Sequence, residues 1–581
     1  MRPDNLVEVS YEVANKVGGI YQVLSSKAGK MQDFYGDNYL TIGYYDEEKA
    51  RNDFIAREVQ GLDFLDELEE EEGIKCYVGV WDIPSSPQTL LIDPSEMDKT
   101  ADKIKEELWK DKGIDSLTAG GDFDDPIKWS YAVGKVLNRI EKEWEGETVY
   151  HLHEWLSGPA IFQVDAPTVF TTHATVLGRA LSNSDYDLEA AVDEGHVDDE
   201  RAEEFGVKPK HQVEKEAAKS ADVFTTVSKN TGEEAAAVLD TEPDKILPNG
   251  FNVEEFPSLE ELSYQHKEKK EEMKEFLRAY FEPYYSVELE KDPRVLFISG
   301  RYEFHNKGLD VFADALAEVN EMPGDDFFVF FFVPSDTSGP KREVLDNMAL
   351  YEELEDYVDS VVPELRSKIL DSVTAGEKPG DLEETVDSST LKSLQRNFHS
   401  RKSGNPPLCA FDLNYENDNI IQRLKKRGLN NSEDDRVKVV FYPTYLSVGD
   451  RLLSMSYNDA IVASSAGIFP SYYEPWGYTP VETAANGALS VTTDMAGFGH
   501  FLMDKTSEDE RKGIKVLRRR NFSDEEAAQN LADMIQEITE YSKTEITERK
   551  HNARRLAQMT SWEKLGDNYL EAHKKAVENS Q

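Results

Sequence analysis

Residues 148–155 read TVYHLHEW. The run is apolar at its start and ends in polar residues, just where a parallel strand delivers its loop. The same form recurs in LVEVSYE (6–12), PTVFTTHA (167–174) and DVFTTVS (222–228), with helical stretches between them. Strands alternating with helices predict an open α/β sheet. Ligands of such sheets bind beyond the carboxyl ends of the strands. The strand ends to watch are therefore NKVGG, HEW, THAT and VSKN.

LPNG (247–250) closes this series, and residues 258–292 read as a charged, largely helical connection. A second series follows: RVLFISG (294–300), FFVFFFV (327–333), RVKVVFY (436–442), GIFPS (467–471) and LSVTTD (489–494). The expected architecture is two Rossmann-like halves, 1–290 and 291–560, facing each other across a cleft. A polar, mostly helical insertion without a strand signal spans about 340–403 and suits assembly better than chemistry. A final helix, Ser561 to Ala576, falls in residues 561–581.

The chain has 581 residues, 39% of them hydrophobic and 10% aromatic, enough for packed cores in two or more domains. Its formal charge is −49, from 114 acidic and 65 basic residues spread along the whole length. Such a field repels nucleic acid and anionic membrane, so neither is an expected partner. An anionic substrate must then meet a local island of cations. The overall charge reads as a solvated surface suited to high salt, where screening weakens self-repulsion. Cys76 and Cys409 are the only cysteines, too few for a metal site or a disulfide framework, which fits a reducing cytoplasm. The start MRPDNLVEVSYE carries no apolar signal region, and FFVFFFV is far short of a membrane span.

Several motifs carry candidate chemistry. Asn15-Lys16-Val17-Gly18-Gly19 follows the first strand; its glycines permit either close backbone approach to a ligand or a plain tight turn, and the next helix offers N–H groups to an anion. His151 and His153 share one strand face, but no third ligand is specified and no metal is expected. Glu154 reads as a polar pocket wall. His173 ends a strand and is either structural or functional; Arg179 follows on the next helix or loop. Arg301 and Lys307, in GRYEFHNKG, are two cations directly after a strand of an acidic chain. They can hold a pyrophosphate and stabilise it as a leaving group without a metal, or form surface salt bridges. Asp122-Phe123-Asp124 and Asp185-Tyr186-Asp187 match a metal-binding triplet, but in so acidic a chain they are discounted.

SYYEPWGYTPVE (471–482) holds two carboxylates, Glu474 and Glu482. On one helix they would be ~80° apart, and Pro475, Gly477 and Pro480 argue for a loop feeding a helix. Thr479 as N-cap, Pro480 first and Glu482 third make a capping box. Glu474, in the loop, has no such structural explanation.

EVANKVGGIYQVL, HLHEWLSGPA, VFTTHATVLGRAL, LPNGFNVEEF, SGRYEFHNKGLDVF, NPPLCAFDL and FPSYYEPWGYTPVE occur in this order. Together they resemble the eukaryotic-type glycogen synthases, retaining glycosyltransferases, from about residue 6 to residue 575. The resemblance implies the GT-B architecture of two Rossmann-like domains, with the last helix crossing back to the first. It implies metal-independent transfer of glucose from a nucleotide sugar, usually UDP-glucose, to the 4-hydroxyl of a glucan end with retention. By resemblance Arg301 and Lys307 hold the donor diphosphate, Glu474 faces the sugar and Glu482 contacts the ribose. His173 and Glu154 line the glucose pocket with Arg179 nearby. Lys16, Gly18 and Gly19 approach the donor from the opposite domain, and backbone N–H groups at Gly477, Tyr478 and Thr479 suit a phosphate. The family's helical insertion supports a tetramer, so a homo-oligomer is expected.

Two departures stand out. The chain starts at its first strand and ends soon after its last helix, without the tails that carry phosphorylation sites in eukaryotic members. The region matching the family's arginine cluster for glucose 6-phosphate reads Glu548-Arg549-Lys550-His551-Asn552-Ala553-Arg554-Arg555. Its cations are thinned, which speaks against that effector. Two rivals stay open: another retaining GT-B transferase with a different acceptor, and a catalytically silent glucan-binding scaffold. No base-reading residue separates a UDP from an ADP donor.

Overall fold

The computed structural model describes residues 2–581 except 98, 185, 253–255, 288, 290–292, 377, 379–386, 399–403 and 416. Nine strands form the first sheet: β1 (Asn5–Val9), β2 (Tyr39–Tyr44), β3 (Phe54–Ala56), β4 (Lys75–Trp81), β5 (Gln88–Asp93), β6 (Thr148–His153), β7 (Thr168–Thr172), β8 (Val223–Thr226) and β9 (Lys245–Ile246). They lie in the order β3-β4-β5-β2-β1-β6-β7-β8-β9. Pairing is parallel from β5 through β9, and β3 and β4 add an antiparallel edge. The second sheet is wholly parallel. It contains β10 (Arg294–Ser299), β11 (Phe327–Phe332), β14 (Val437–Phe441), β15 (Ala466–Ile468), β16 (Leu489–Thr493) and β17 (Ile514–Leu517), in the order β14-β11-β10-β15-β16-β17. These are two Rossmann-like halves. Between β11 and β14, a short antiparallel pair, β12 (Thr337–Pro340) with β13 (Phe411–Leu413), brackets the insertion. The insertion's described part consists of helices Arg342–Thr374 and Ser388–Phe398.

Burial on both faces explains the strands' near-continuous apolar runs. Phe327, Phe328, Phe330 and Phe331 of β11 are at most 1% exposed. The helix Leu259–Phe281 starts at a Ser258/Glu261 capping box. Its apolar side, Met273, Phe276, Leu277, Tyr280 and Phe281, sits in the second core. A division at 290/291 would assign this helix to the first half; its packing puts it with the second. Charge along its exposed side made it read as a connection.

The last helix runs Trp562–Ser580, longer than the expected Ser561–Ala576. It packs on the first half through Trp562, Tyr569, Ala572, Ala576 and Val577, against Leu6, Val23, Val149, Val169 and Val223. The helix before it, Lys543–Ala557, packs on the second half through Ala553, Leu556 and Ala557. The chain thus crosses between halves twice, and the crossings touch: the Phe251 N–H donates to the Thr560 carbonyl at 2.8 Å. Gly250 gives the room. A Cβ there would lie 2.3 Å from the Trp562 ring, whose Nε1 donates to Ser26 Oγ at 3.0 Å.

This crossing anchors the last helix. Trp562→Ala is expected to lower stability in urea unfolding by about 3–5 kcal/mol, as for a large buried aromatic. A loss below ~1 kcal/mol would show that the helix does not depend on it.

Candidate active site

The two halves meet at the carboxyl ends of their sheets. On the second half, β10 feeds the loop of Arg301 and Lys307, and the segment after β15 carries Tyr472 to Gly477. Gly308, at φ +67, lets these loops abut: a Cβ there would lie 2.1 Å from the Pro470 carbonyl oxygen. The Asn306 carbonyl accepts the Tyr472 and Tyr473 N–H groups at 2.9 and 3.2 Å. Lys307 Nζ then reaches the Glu474 carboxylate in an ion pair with side chains 16% and 17% exposed. Arg301 is 64% exposed and pairs with Glu303 at 3.0 Å. The salt-bridge alternative is thus realised in part, at the exposed Arg301.

The capping box is not there. The helix runs Tyr478–Ala485 with Gly477 as N-cap at φ +100 and no side-chain cap. It starts two residues earlier than expected, because Gly477 takes the turn and the Tyr478 hydroxyl is held by the Gly250 carbonyl at 3.2 Å. Thr479 is therefore the second helical residue, Pro480 the third and Glu482 the fifth. Proline is tolerated there since its missing N–H would have no intrahelical partner. Glu482 makes no side-chain hydrogen bond among the described residues, and burial pushes its carboxyl up to about 7.

On the first half, Glu154 follows β6 at φ +66, a strained position for a non-glycine residue. Its Oε1 accepts the N–H groups of His173 at 2.8 Å and Ala174 at 3.3 Å. Glu214 accepts the Val176 N–H at 2.8 Å, and Glu234 accepts the Thr175 N–H at 3.1 Å. Three buried carboxylates thus fix the strand end that carries His173. Burial raises all three, Glu154 to about 7 against the pull of Arg179. Arg179 is solvent-exposed, with Glu154, Tyr473, Glu303 and Glu234 as electrostatic neighbours. Glu214 and Glu234 were not singled out by sequence, where nothing marks them among 114 acidic residues.

Lys16, Gly18 and Gly19 are exposed on the facing loop. The helix Gly19–Tyr35 does not present all its first N–H groups: Glu12 Oε2 takes those of Gly18 at 2.8 Å and Tyr21 at 2.9 Å. Glu12 is another carboxylate that sequence reading passed over. The halves are tied across the cleft. Asn306 Nδ2 donates to Ser182 Oγ at 3.1 Å and Asn183 Oδ1 at 2.9 Å, and the Tyr473 hydroxyl to Glu234 Oε1 at 3.0 Å.

The two strand histidines do have a third group nearby, Glu8. Its carboxylate lies with His151 and His153 in one cluster of possible ligand atoms. The Lys27 ammonium is bonded to the same Glu8 oxygen that His153 Nε2 reaches at 2.9 Å, so a cation already holds that position. The thinned cluster on Lys543–Ala557 does not stand alone either: Lys543, Lys550 and His551 line one pocket with His266, Lys270 and Arg294. Counting cations along one helix missed those supplied by other elements.

The arrangement places cations, carboxylates and a helix start around one cleft, suited to a phosphorylated sugar. The glycogen synthase family profile matches residues 8–581. Glycogen [starch] synthase isoform 2 of Saccharomyces cerevisiae is 33% identical over 612 residues, covering 98% of this chain and 86% of that protein. The liver glycogen [starch] synthase of Homo sapiens is 32% identical over 589 residues, covering 98% and 82%. Among solved structures, the catalytic domain of starch synthase IV from Arabidopsis thaliana, bound to ADP and acarbose, matches the fold with a TM-score of 0.50. That match is at 14% identity over 99% of each chain.

A raised carboxyl sets a pH dependence. Glu482 holds its proton more tightly folded, at about 7, than at its ordinary 4.5, so its contribution is full below the ordinary value and lost as pH rises to about 7. Glu482→Gln is therefore expected to be the more stable protein by about 1–3 kcal/mol near ~pH 8, with no difference near ~pH 4. Urea unfolding at both pH values checks this; a glutamine variant less stable near ~pH 8 would contradict it.

Proposed function

This chain belongs to the glycogen synthase family, and we propose that it draws glucose from UDP-glucose and works without a metal. It is a glycosyltransferase of the glycogen synthase kind with the GT-B architecture of two Rossmann-like domains. The observation that carries the donor reading is the Lys307–Glu474 pair, a cation and a carboxylate 167 residues apart in sequence and joined at the cleft. A diphosphate competes for the Lys307 ammonium, with Arg301 exposed beside it. Together the two cations stabilise the charge that develops on the leaving phosphate. Backbone N–H groups at Gly477, Tyr478 and Thr479, at a helix start, add to that stabilisation. Released from Lys307, Glu474 faces the sugar and steadies its oxocarbenium-like charge. Glu482 accepts from a ribose hydroxyl. His173 and Arg179 line the sugar pocket, with Glu154 holding the His173 backbone, and Lys16, Gly18 and Gly19 approach from the first domain. The 4-hydroxyl of a glucan end attacks on the face the diphosphate leaves, which retains configuration.

The same reading extends to assembly and setting. Val358, Val362, Ile369, Leu370 and Val373 are exposed on the insertion helix Arg342–Thr374, which supports a homo-oligomer, a tetramer by resemblance. Among the described residues no helix is long and apolar enough to cross a membrane. Two thiols, Cys76 and Cys409, both pushed up to about 12 by burial, suit a reducing cytoplasm. The charge of −49 suits high salt.

Labelled UDP-glucose and ADP-glucose, offered side by side with glycogen in molar KCl and in dilute buffer, test the donor and the setting. Label is expected in the polymer from UDP-glucose and in KCl. Nucleotide release without polymer label would point to another acceptor. Arg301→Ala is expected to lower turnover by ~10²–10³ with the fold intact; unchanged turnover would refute its role at the leaving group.

A further inference from the structure

We propose that a buried relay, Glu8–His153–His173, fixes the tautomer of His173 so that its Nδ1 meets the donor sugar as a hydrogen-bond acceptor. The inference rests on the reading above that His173 lines the sugar pocket.

The relay begins in the first strand. Glu8 is 0% exposed, inside a sheet. Its Oε1 binds the Lys27 ammonium and His153 Nε2 at 2.9 Å, and its Oε2 takes the Tyr39 hydroxyl at 2.6 Å. Burial alone would raise this carboxyl; Lys27 and His153 outweigh it and hold it well below the usual range. A carboxylate only accepts, so the proton in the first link sits on His153 Nε2. Lys27 and Glu8 already neutralise each other. No charge is left over to hold a second cation at His153, and burial keeps that ring neutral. Its Nδ1 is then a lone pair.

His173 Nε2 lies 3.0 Å from that lone pair, so it must carry a hydrogen and donate. Burial, with His153 and Lys27 nearby, holds His173 neutral as well. Its remaining nitrogen, Nδ1, bears no proton and has no hydrogen-bond partner among the described residues. Each link dictates the next, from an ion pair at the centre of the sheet to the pocket wall. The other charged groups around the relay are Glu154, which takes the His173 N–H, and Arg179. His151 stacks on His153 with centroids 4.4 Å apart, but its own nitrogens go to Thr171 and His573. It does not enter the chain of donors.

The consequence is chemical. Sugar hydroxyls donate, and a neutral imidazole with its acceptor outward receives them; the opposite tautomer would present an N–H instead. Glu8, Lys27 and His153 are thus positioning residues for His173, although none of them touches the sugar.

Nitrogen-15 NMR of the full-length wild-type protein labelled at its 11 histidines reads the tautomers directly. Signals are assigned with His153→Gln and His173→Leu. The expected result is that His153 and His173 are both neutral and protonated at Nε2. A doubly protonated His153, or His173 protonated at Nδ1, would overturn the relay. Transfer kinetics give a second reading. His153→Gln can donate to Glu8 and accept from His173 through one amide, so it should keep kcat within about 3-fold. His153→Leu breaks both links and should lower kcat about 10- to 100-fold while UDP affinity stays unchanged. Equal kcat for the two variants would overturn the proposal. Normal transfer by His173→Leu would instead overturn the pocket assignment itself, and the inference with it, whatever tautomer the NMR shows.

Discussion

Lys307 and Glu474 come from loops after different strands, and their ion pair is the contact on which the cleft depends. Both side chains are mostly withdrawn from water, so their attraction is screened far less than that of the exposed pairs elsewhere on this acidic surface. The loops reach each other because Gly308 has no side chain to strike Pro470 and because the Asn306 carbonyl holds two consecutive N–H groups of the facing loop. Asn306 also reaches across to Ser182 and Asn183. One asparagine thereby couples the shape of the second domain's site to its distance from the first.

The charge balance gives this pair its meaning. A chain with 114 acidic and 65 basic residues repels the anionic donor a glycogen synthase must bind. Attraction therefore has to be local, and the structure gathers Arg179, Arg301 and Lys307 near one cleft. A carboxylate already sits on one of them. Glu474 holds Lys307 in an ion pair, which on the proposed reading a diphosphate displaces. Glu12, Glu154, Glu214 and Glu234 act differently. They accept backbone N–H groups and hold strand ends and a helix start in place, and burial raises all four above the ordinary carboxyl range. In this protein a carboxylate's role follows from its partner and not from depth alone: Lys27 and Lys307 keep Glu8 and Glu474 in ion pairs, while these four take backbone N–H groups.

Depth was also what the sequence left illegible. Parallel strands are readable because burial on both faces leaves continuous apolar runs, and β1, β6, β7, β8, β10 and β11 fall where those runs lie. The edge strands β3 and β4 were passed over, since half-exposed antiparallel strands leave no such run; β2 and β5 were passed over although buried, because polar and glycine residues interrupt YLTIGY and flank TLLI. Arg301, Lys307, Glu474 and His173 could be singled out because each follows a strand end. The capping box at Thr479 was a local inference that a glycine in left-handed geometry overrode. Glu8 looked like any other acid in the chain. Its partner His153 is 145 residues away, and only the fold of the sheet reveals that the two meet.

The central claim is that Lys307 exchanges Glu474 for the donor diphosphate. Calorimetric titration of UDP into Glu474→Gln, alongside its transfer rate, tests this most directly. The account predicts UDP affinity equal to or tighter than in the wild type, because a competing carboxylate is gone, while transfer falls steeply. Parallel loss of UDP affinity and transfer would contradict it, and would make Glu474 a support of the loop instead of a partner that the donor displaces.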